Sequence, residues 1–340
     1  MSRRTSASER ARDRRGIAIV IVLWVVLVLS LLISGFAFTM HVETQVASFA
    51  RKQLKAEMLA RAGIEVARMQ LILDEKSPTE GGFDALNQAW ATNEELYVNH
   101  ELGDGIFNVK VTDEESKIPI NTATLEQLRR LLNLLGVDPA DEDIIVDSIL
   151  DWIDADDLTK LNGAESDYYQ SLSPPYRAKD APMDRVEELL LVRGVTPELF
   201  GGSPTTEEEE ARPALSDLFT TMSSGRINVN TASATVLRAF LNLDDVQVQA
   251  VVNRRDGSDG IAGTEDDQPF RSEAEFFSVL GNLDPVTKQQ DDGLVAVSSS
   301  YFTVTSTGEV GGAKRTIIAT FRRDGDNIRA VAWRQVRGGT

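Results

Sequence analysis

From Ile17 to Met40 the chain carries no charged residue, and nearly every position is apolar. At 1.5 Å per residue this stretch spans about 36 Å as a helix, enough to cross a bilayer core of about 30 Å. Beyond it the pattern turns amphipathic. Val42, Val46, Phe49, Leu54, Met58, Ala62, Val66 and Met69 recur at spacings of three to five, as far as about Leu73, with no proline between. The spacing predicts one continuous element, a transmembrane helix over 17–40 growing into an amphipathic stalk over 41–73.

Ser77-Pro78 to Gly82 breaks that element, and a short helical stretch is expected around Phe83–Leu96. Strand-like alternation follows at Ile106–Thr112. It returns far downstream at Tyr301–Ser306, Lys314–Arg322 and Asn327–Val336, with turn signals at Gly308–Gly312 and Asp324-Gly325-Asp326. Between these strands the chain reads as helical. The predicted class is α+β: a long N-terminal helix packed on an antiparallel sheet. The first strands lie in 74–118, the closing strands in 286–340, and a large helical domain is inserted at 119–285.

The insertion repeats itself, once over 119–200 and once over 226–285. Asn121-Thr122-Ala123-Thr124 and Asn230-Thr231-Ala232-Ser233 each precede an apolar helix. Leu128/Leu237, Leu132/Leu241 and Asn133/Asn242 align without a gap. Ala181–Gly194 aligns on Gln268–Gly281, and Ile149–Asp154 on Val251–Asp256. Each repeat therefore reads as helix, helix, acidic loop, helix, with the Asn-Thr pair as a helix cap.

Both acidic loops fall at the same point of the repeat. The first offers Asp151, Asp154, Asp156, Asp157, Glu165 and Asp167; the second offers Asp256, Asp259, Glu265, Asp266 and Asp267. Closely spaced carboxylates with glycines at tight turns suit Ca²⁺, which takes six to eight oxygen ligands. Neither loop follows the twelve-residue EF-hand pattern. A solvated acidic loop is the other reading that the residues alone leave open.

Composition narrows the chemistry. The 340 residues carry a formal charge of −18, so phosphate backbones and anionic lipid are repelled. There is no cysteine, and His41 and His100 are the only histidines, which leaves no thiolate site, histidine zinc site or catalytic triad. No nucleophile stands beside the carboxylates, and no phosphate-binding or dinucleotide fingerprint occurs. No catalytic activity is expected.

The N-terminal leader, residues 1–16, holds six Arg against Glu9 and Asp13 and ends in Arg14-Arg15-Gly16. Its charge keeps the N-terminus cytoplasmic and sends the bulk outward. A secretory signal peptide would have a shorter apolar run and a small-residue cleavage site. A basic leader ending in Gly, then an apolar helix and stalk, resembles the type IV prepilins and pseudopilins. That resemblance implies cleavage by the prepilin peptidase between Gly16 and Ile17, with methylation of Ile17. Most members carry Glu as the fifth mature residue, where this chain has Ile21. The K minor pseudopilins of type II secretion lack it, and they resemble this chain over its whole length, in the two Asn-Thr-Ala repeats and in a DWxDxDD…GAExxYY segment matched by Asp151–Tyr169.

The resemblance implies a pilin-like sheet, inserted helix-hairpin-helix (SAM-like) repeats, and calcium at the first acidic loop, with Asp156 and Glu165 as leading ligands. It implies an inner-membrane protein with a periplasmic bulk, at the tip of a pseudopilus with the I and J minor pseudopilins as partners and H as a further candidate. In the family the fifth-residue Glu is thought to meet the N-terminal amine of the subunit ahead, so a subunit with Ile21 suits a position with nothing above it. The repeats also resemble those of envelope-anchored competence DNA receptors. Their hairpin turns, Leu135–Asp141 and Leu243-Asp244-Asp245, are acidic here and would repel phosphate, so no nucleic-acid partner is expected. Intact mass of the chain recovered from membranes is expected to correspond to a start at Ile17. A chain that keeps Gly16, or is cut after Phe38, would exclude the prepilin reading.

Overall fold

The computed structural model describes residues 6–77, 79, 81–202, 212–281, 293–325 and 327–336, with side chains from residue 18 onward. Helix α1 runs from Ser6 to Glu75, 70 residues, longer at both ends than the periodicity predicts. The Ser, Ala, Glu and Arg of the leader sustain a helix, and no proline stands in the way. Gly16 and Ile17 lie inside it, their side chains outside the described residues. Among the described residues α1 is the one helix long and apolar enough to cross a membrane. Its most apolar window has a mean hydropathy of 3.0 and no buried residue.

The far half of α1 packs on a sheet through Ala56, Leu59, Ala60, Ile64, Ala67 and Leu71. The stripe singled out from the sequence is turned away from the sheet at Leu54, Met58 and Met69, which are exposed. Small residues alternate with Leu59, Ile64 and Leu71 on the true contact face, because at points the sheet comes too close for a side chain. A Cβ on Gly308 would run into the backbone carbonyl of Ala56, and one on Gly63 would meet the hydroxyl of Ser306. Gly308 therefore belongs to a strand rather than to the predicted turn. The turn is Gly311-Gly312, between Val310 and Ala313.

Two short helices, α2 (Ala89–Thr92) and α3 (Glu94–Tyr97), lead into β1 (His100–Leu102) and β2 (Gly105–Asp113). The helical insertion follows. It contains β3 (Ile118–Pro119), α4 (Leu125–Leu134), α5 (Pro139–Ile153), α6 (Ser166–Gln170), a 3₁₀ segment Val186–Leu191, α7 (Pro197–Gly201), α8 (Leu215–Leu218) and β4 (Phe219–Thr220). Then come β5 (Ile227–Asn228), α9 (Ala234–Leu241), α10 (Asp245–Arg255), α11 (Glu273–Val279) and β6 (Val295–Ala296). The sheet resumes with β7 (Tyr301–Val310), β8 (Ala313–Asp324) and β9 (Asn327–Val336). The five long-sheet strands are ordered β1-β2-β7-β8-β9, all antiparallel. Residue 286, where the closing segment was expected to open, lies outside the described residues, and β6 completes the second repeat rather than the sheet.

Each repeat is bracketed by strands. β3 pairs in parallel with β4, and β5 with β6. The repeats meet where α4 packs against α9, and α4 supplies capping groups to its partner's last turn. The Gln127 amide donates to the Phe240 carbonyl (3.1 Å) and the Arg130 guanidinium to that of Ala239 (2.9 Å). Thr124 and Ser233, not the Asn-Thr pairs, are the N-caps of α4 and α9. The asparagines do something else. Asn121 accepts from the Met183 N–H (2.7 Å) and donates to the Met183 carbonyl (3.0 Å); Asn230 does the same to Phe270, at 2.7 and 2.9 Å. Met183 and Phe270 each follow the proline of the aligned block, so one asparagine clamps the entry to the last segment of each repeat.

A polar junction joins the helical part to the sheet. Both chain connections leave at the end of the sheet where α1 finishes. The Asp113 carboxylate accepts from Asn228 (3.2 Å), Thr231 (2.6 Å) and Ser299 (2.6 Å). Asp84 accepts from the Ser299 N–H (2.6 Å) and pairs with Arg323, which also reaches Glu75 at 3.4 Å. Glu115 accepts from the N–H groups of Ser224 and Ser300. Burial pushes all three carboxyls above their usual range, Asp113 to about 7.

The buried clamp is expected to matter more than the caps. Asn230→Ala strands the N–H and carbonyl of Phe270, so denaturant unfolding of the part beyond residue 40 should show a loss of about 2–4 kcal/mol. The half-buried equivalent, Asn121→Ala, should lose less.

Candidate metal centre

The first acidic loop begins where α5 ends, at Asp154, and closes at Glu165, the residue before α6. Its backbone is tied down by carboxylates of α5. Asp151 is fully buried and accepts from the Lys160 N–H (3.2 Å) and ammonium (3.1 Å). Asp147 accepts from the N–H (3.0 Å) and side-chain amide (3.3 Å) of Asn162. Gly163 then crosses so close to Asp151 that a Cβ there would collide with its carboxylate. Lys160 also reaches Asp154 at 2.6 Å.

This arrangement leaves three carboxylates facing one another. Oxygen atoms of Asp157, Glu165 and Asp180 all lie within 4.8 Å of each other. Glu165 is only 4% exposed, and neither of its carboxylate oxygens has a hydrogen-bond partner. One oxygen of Asp180 is likewise buried without a partner. Burial, then the charges of Asp151, Asp180, Asp154 and Asp157, push the Glu165 carboxyl up to about 7. Burial and the charges of Asp157 and Asp154 also raise Asp180. Buried, unpartnered oxygens of Glu165 and Asp180 beside the exposed carboxylate of Asp157 suit the oxygen shell of a hard cation such as Ca²⁺, whose ligands sit at about 2.3–2.6 Å.

The structure sorts the residues expected from the sequence. Asp157 and Glu165 belong to the cluster. Asp151 is not a free ligand, because it holds the loop through Lys160. Asp154 is paired with the same lysine. Asp156 is exposed and turns back to accept the Leu158 N–H (2.9 Å); its neighbour Asp157 takes the place expected of it. Asp167 is exposed in the first turn of α6. Asp180 was missed, being 15 positions past Glu165 and outside the acid-rich loop as the sequence delimits it. The repeat did carry a signal for it: Asp180 precedes the block Ala181–Gly194 as Asp267 precedes Gln268–Gly281.

In the second loop the acids expected at the equivalent place are engaged with the loop's own donors. Its carboxylates serve the loop itself: Asp259, Asp266 and Asp267 each turn an oxygen to the Thr264 hydroxyl, at 3.4, 2.8 and 3.3 Å. Asp256 pairs with Arg255 at 2.5 Å, both buried, while that guanidinium also donates to the carbonyls of Val229 and Ala232. Asp266 accepts from the N–H (2.7 Å) and hydroxyl (2.6 Å) of Ser258 and the hydroxyl of Thr264 (2.8 Å), which hold it well below the usual carboxylate range. Asp259 accepts from the Ile261 N–H and Asp267 from the Gly263 N–H; Glu265 is exposed.

The Glu165 carboxyl holds its proton more tightly in the folded chain than in the unfolded one. Its stability contribution is therefore complete below pH 4.5 and lost as pH rises through about 7. In chelator, wild type should lose up to about 3 kcal/mol over that interval relative to Glu165→Gln, which has no such proton to lose. Asp113 titrates in the same window, so the difference between the two chains is the measurement.

Models of the family described as type II secretion system (T2SS), protein K match residues 105–201 and 227–297. The chain is 27% identical over 342 residues to the type II secretion system protein K of Pseudomonas aeruginosa, covering 96% of this chain and 95% of that one. It is 30% identical over 214 residues to the protein K of Pectobacterium carotovorum, covering 60% and 59%. Its fold resembles a chain in the crystal structure of the GspK-GspI-GspJ complex of the type 2 secretion system from enterotoxigenic Escherichia coli. That likeness has a TM-score of 0.69 at 20% identity, over 86% of this chain and all of the other. Leader, apolar helix, sheet, repeats and comparisons agree, and the chain belongs to the type II secretion system protein K family.

Proposed function

We propose that this minor pseudopilin initiates and caps the type II secretion pseudopilus, held in the inner membrane by α1 with its bulk in the periplasm. The observation that carries this reading is where the helical part is attached. Both connections leave the sheet beside the C-terminal end of α1, about 50 Å beyond Met40 at 1.5 Å per residue. A mass of that size suits the end of a filament better than a repeating position. Ile21, in place of the fifth-residue Glu, offers no charge to a subunit above. The named components of the solved complex suggest the partners, the I and J pseudopilins, with prepilin peptidase acting between Gly16 and Ile17. The role is structural rather than catalytic.

The repeats fit a helix-hairpin-helix description, with α4–α5 and α9–α10 as hairpins. A competence-type DNA receptor is the less favoured reading. In the second hairpin the Asp244 carboxylate already accepts the Gln247 N–H (2.8 Å), and Asp245 lies in the same turn, so a phosphate would meet carboxylates at the helix N-terminus.

Calcium fits the cluster of Asp157, Glu165 and Asp180, where it would replace mutual repulsion by shared coordination. Saturating Ca²⁺ should raise the melting temperature relative to chelator, and Asp157→Asn with Glu165→Gln should remove the gain; an unchanged melting temperature in wild type excludes the site. For the cap, the chain should co-purify with I and J, and Ile21→Glu should not improve secretion. If Ile21→Glu spreads along the filament with normal secretion, the tip position is wrong.

A further inference from the structure

The loop that holds the candidate metal centre also displays two leucines. Leu161 is 95% exposed and Leu158 is 76% exposed; no large apolar side chain among the described residues is more exposed than Leu161. Single exposed leucines are ordinary, but two within four positions on a fixed loop are not explained by slack chain. Here the backbone around them is pinned at almost every step. Leu158 gives its N–H to Asp156, Lys160 gives both its N–H and its ammonium to buried Asp151, and Asn162 is tied to Asp147. The Gly163 carbonyl is held in turn by Arg193 at 3.0 Å. Drawing Lys160 inward leaves the leucines beside it outward.

Charge decides what they can meet. Asp156, Asp157 and Asp167 are exposed close by in sequence, while the loop's one cation, Lys160, is taken up by Asp151 and Asp154. An anionic lipid surface would be repelled by that rim, and a second copy of the chain would bring the same acids. An apolar recess rimmed by Lys or Arg on another protein fits both features. We propose that Leu158 and Leu161 form a docking knob for such a protein surface, displayed by the helical part of the molecule. Occupation of the neighbouring cation cluster through Asp157 would stiffen the knob without being part of the contact. The inference rests on the pseudopilin reading for its setting, not for its chemistry.

The test uses the full chain in cells that depend on it for secretion. A photoreactive residue replaces Thr159, which is exposed between the two leucines. The expected crosslink falls on one protein, at a peptide with Lys or Arg beside apolar residues. Its yield should drop about tenfold or more in the chain that also carries Leu158→Ser and Leu161→Ser. The serine pair alone should keep the wild-type melting temperature and co-purification with I and J while secretion falls. A crosslink to lipid, to a second copy, or to a protein peptide without basic residues overturns the proposal. So does a crosslink or a level of secretion unchanged by the serine pair. Loss of co-purification with I and J by the otherwise wild-type chain, with secretion intact, would instead overturn the pseudopilin reading.

Discussion

Asp113 sits at the meeting point of four distant parts of the chain. Its carboxylate takes hydrogen bonds from Asn228 and Thr231 of the second repeat and from Ser299, where the chain returns to the sheet. Asp84, just past the stalk, binds the same Ser299 and pairs with Arg323 of β8, which also reaches Glu75 in the last turn of α1. The helical part has its own apolar core, and so does the pairing of α1 with the sheet. Apolar contact between the two would tolerate many relative orientations. Buried carboxylates do not, because each oxygen that leaves its donors stays desolvated and unpaired. Three neighbouring buried acids, of which only Asp84 pairs with the buried Arg323, are costly to assemble, and burial already raises the Asp113 carboxyl to about 7. Such a group adds little stability over an apolar substitute; what it fixes is geometry.

That geometry was the part least visible in the sequence. Alternation in β2 and β7 could be read directly, since these strands favour burial of one face over the other; β9 has the sequence pattern but is exposed along most of its length. The uncharged run of α1 was equally plain. The packing face of the stalk was not. A hydrophobicity pattern favours large residues such as Leu54 and Met58, whereas close approach between helix and sheet selects Ala56, Ala60, Gly63 and Ala67. Asp84 and Asp113 are two acids among 53 in an acidic chain, and nothing in their neighbours marks them as buried.

The repeat was legible as a repeat and misread in its parts. Asn121 and Asn230 stand where a cap would stand, yet the hydroxyls of Thr124 and Ser233, three positions on, do the capping. The asparagines bridge to Met183 and Phe270, 62 and 40 residues away. A local rule was applied to a residue whose partner is remote. The same limit hid Asp180, which only the spatial return of the chain after α6 brings to Glu165.

The two acidic loops differ by the charge that each repeat supplies for itself. Asp154 and Asp256 occupy equivalent positions, as do Ile153 and Arg255. In the second repeat Arg255 is buried against Asp256 and the carbonyls of Val229 and Ala232, so the loop carries a permanent cation in its foundation. Its remaining acids are then free to fold the loop by accepting its own N–H groups. The first repeat has an aliphatic residue at that place. Lys160 answers Asp151 and Asp154 but does not reach Glu165, whose oxygens are left buried and unpartnered opposite Asp157 and Asp180. One repeat thus neutralises its loop with a side chain. On the proposed reading the other draws its cation from solution, at the edge of a loop whose backbone Asp151 and Asp147 already hold in place.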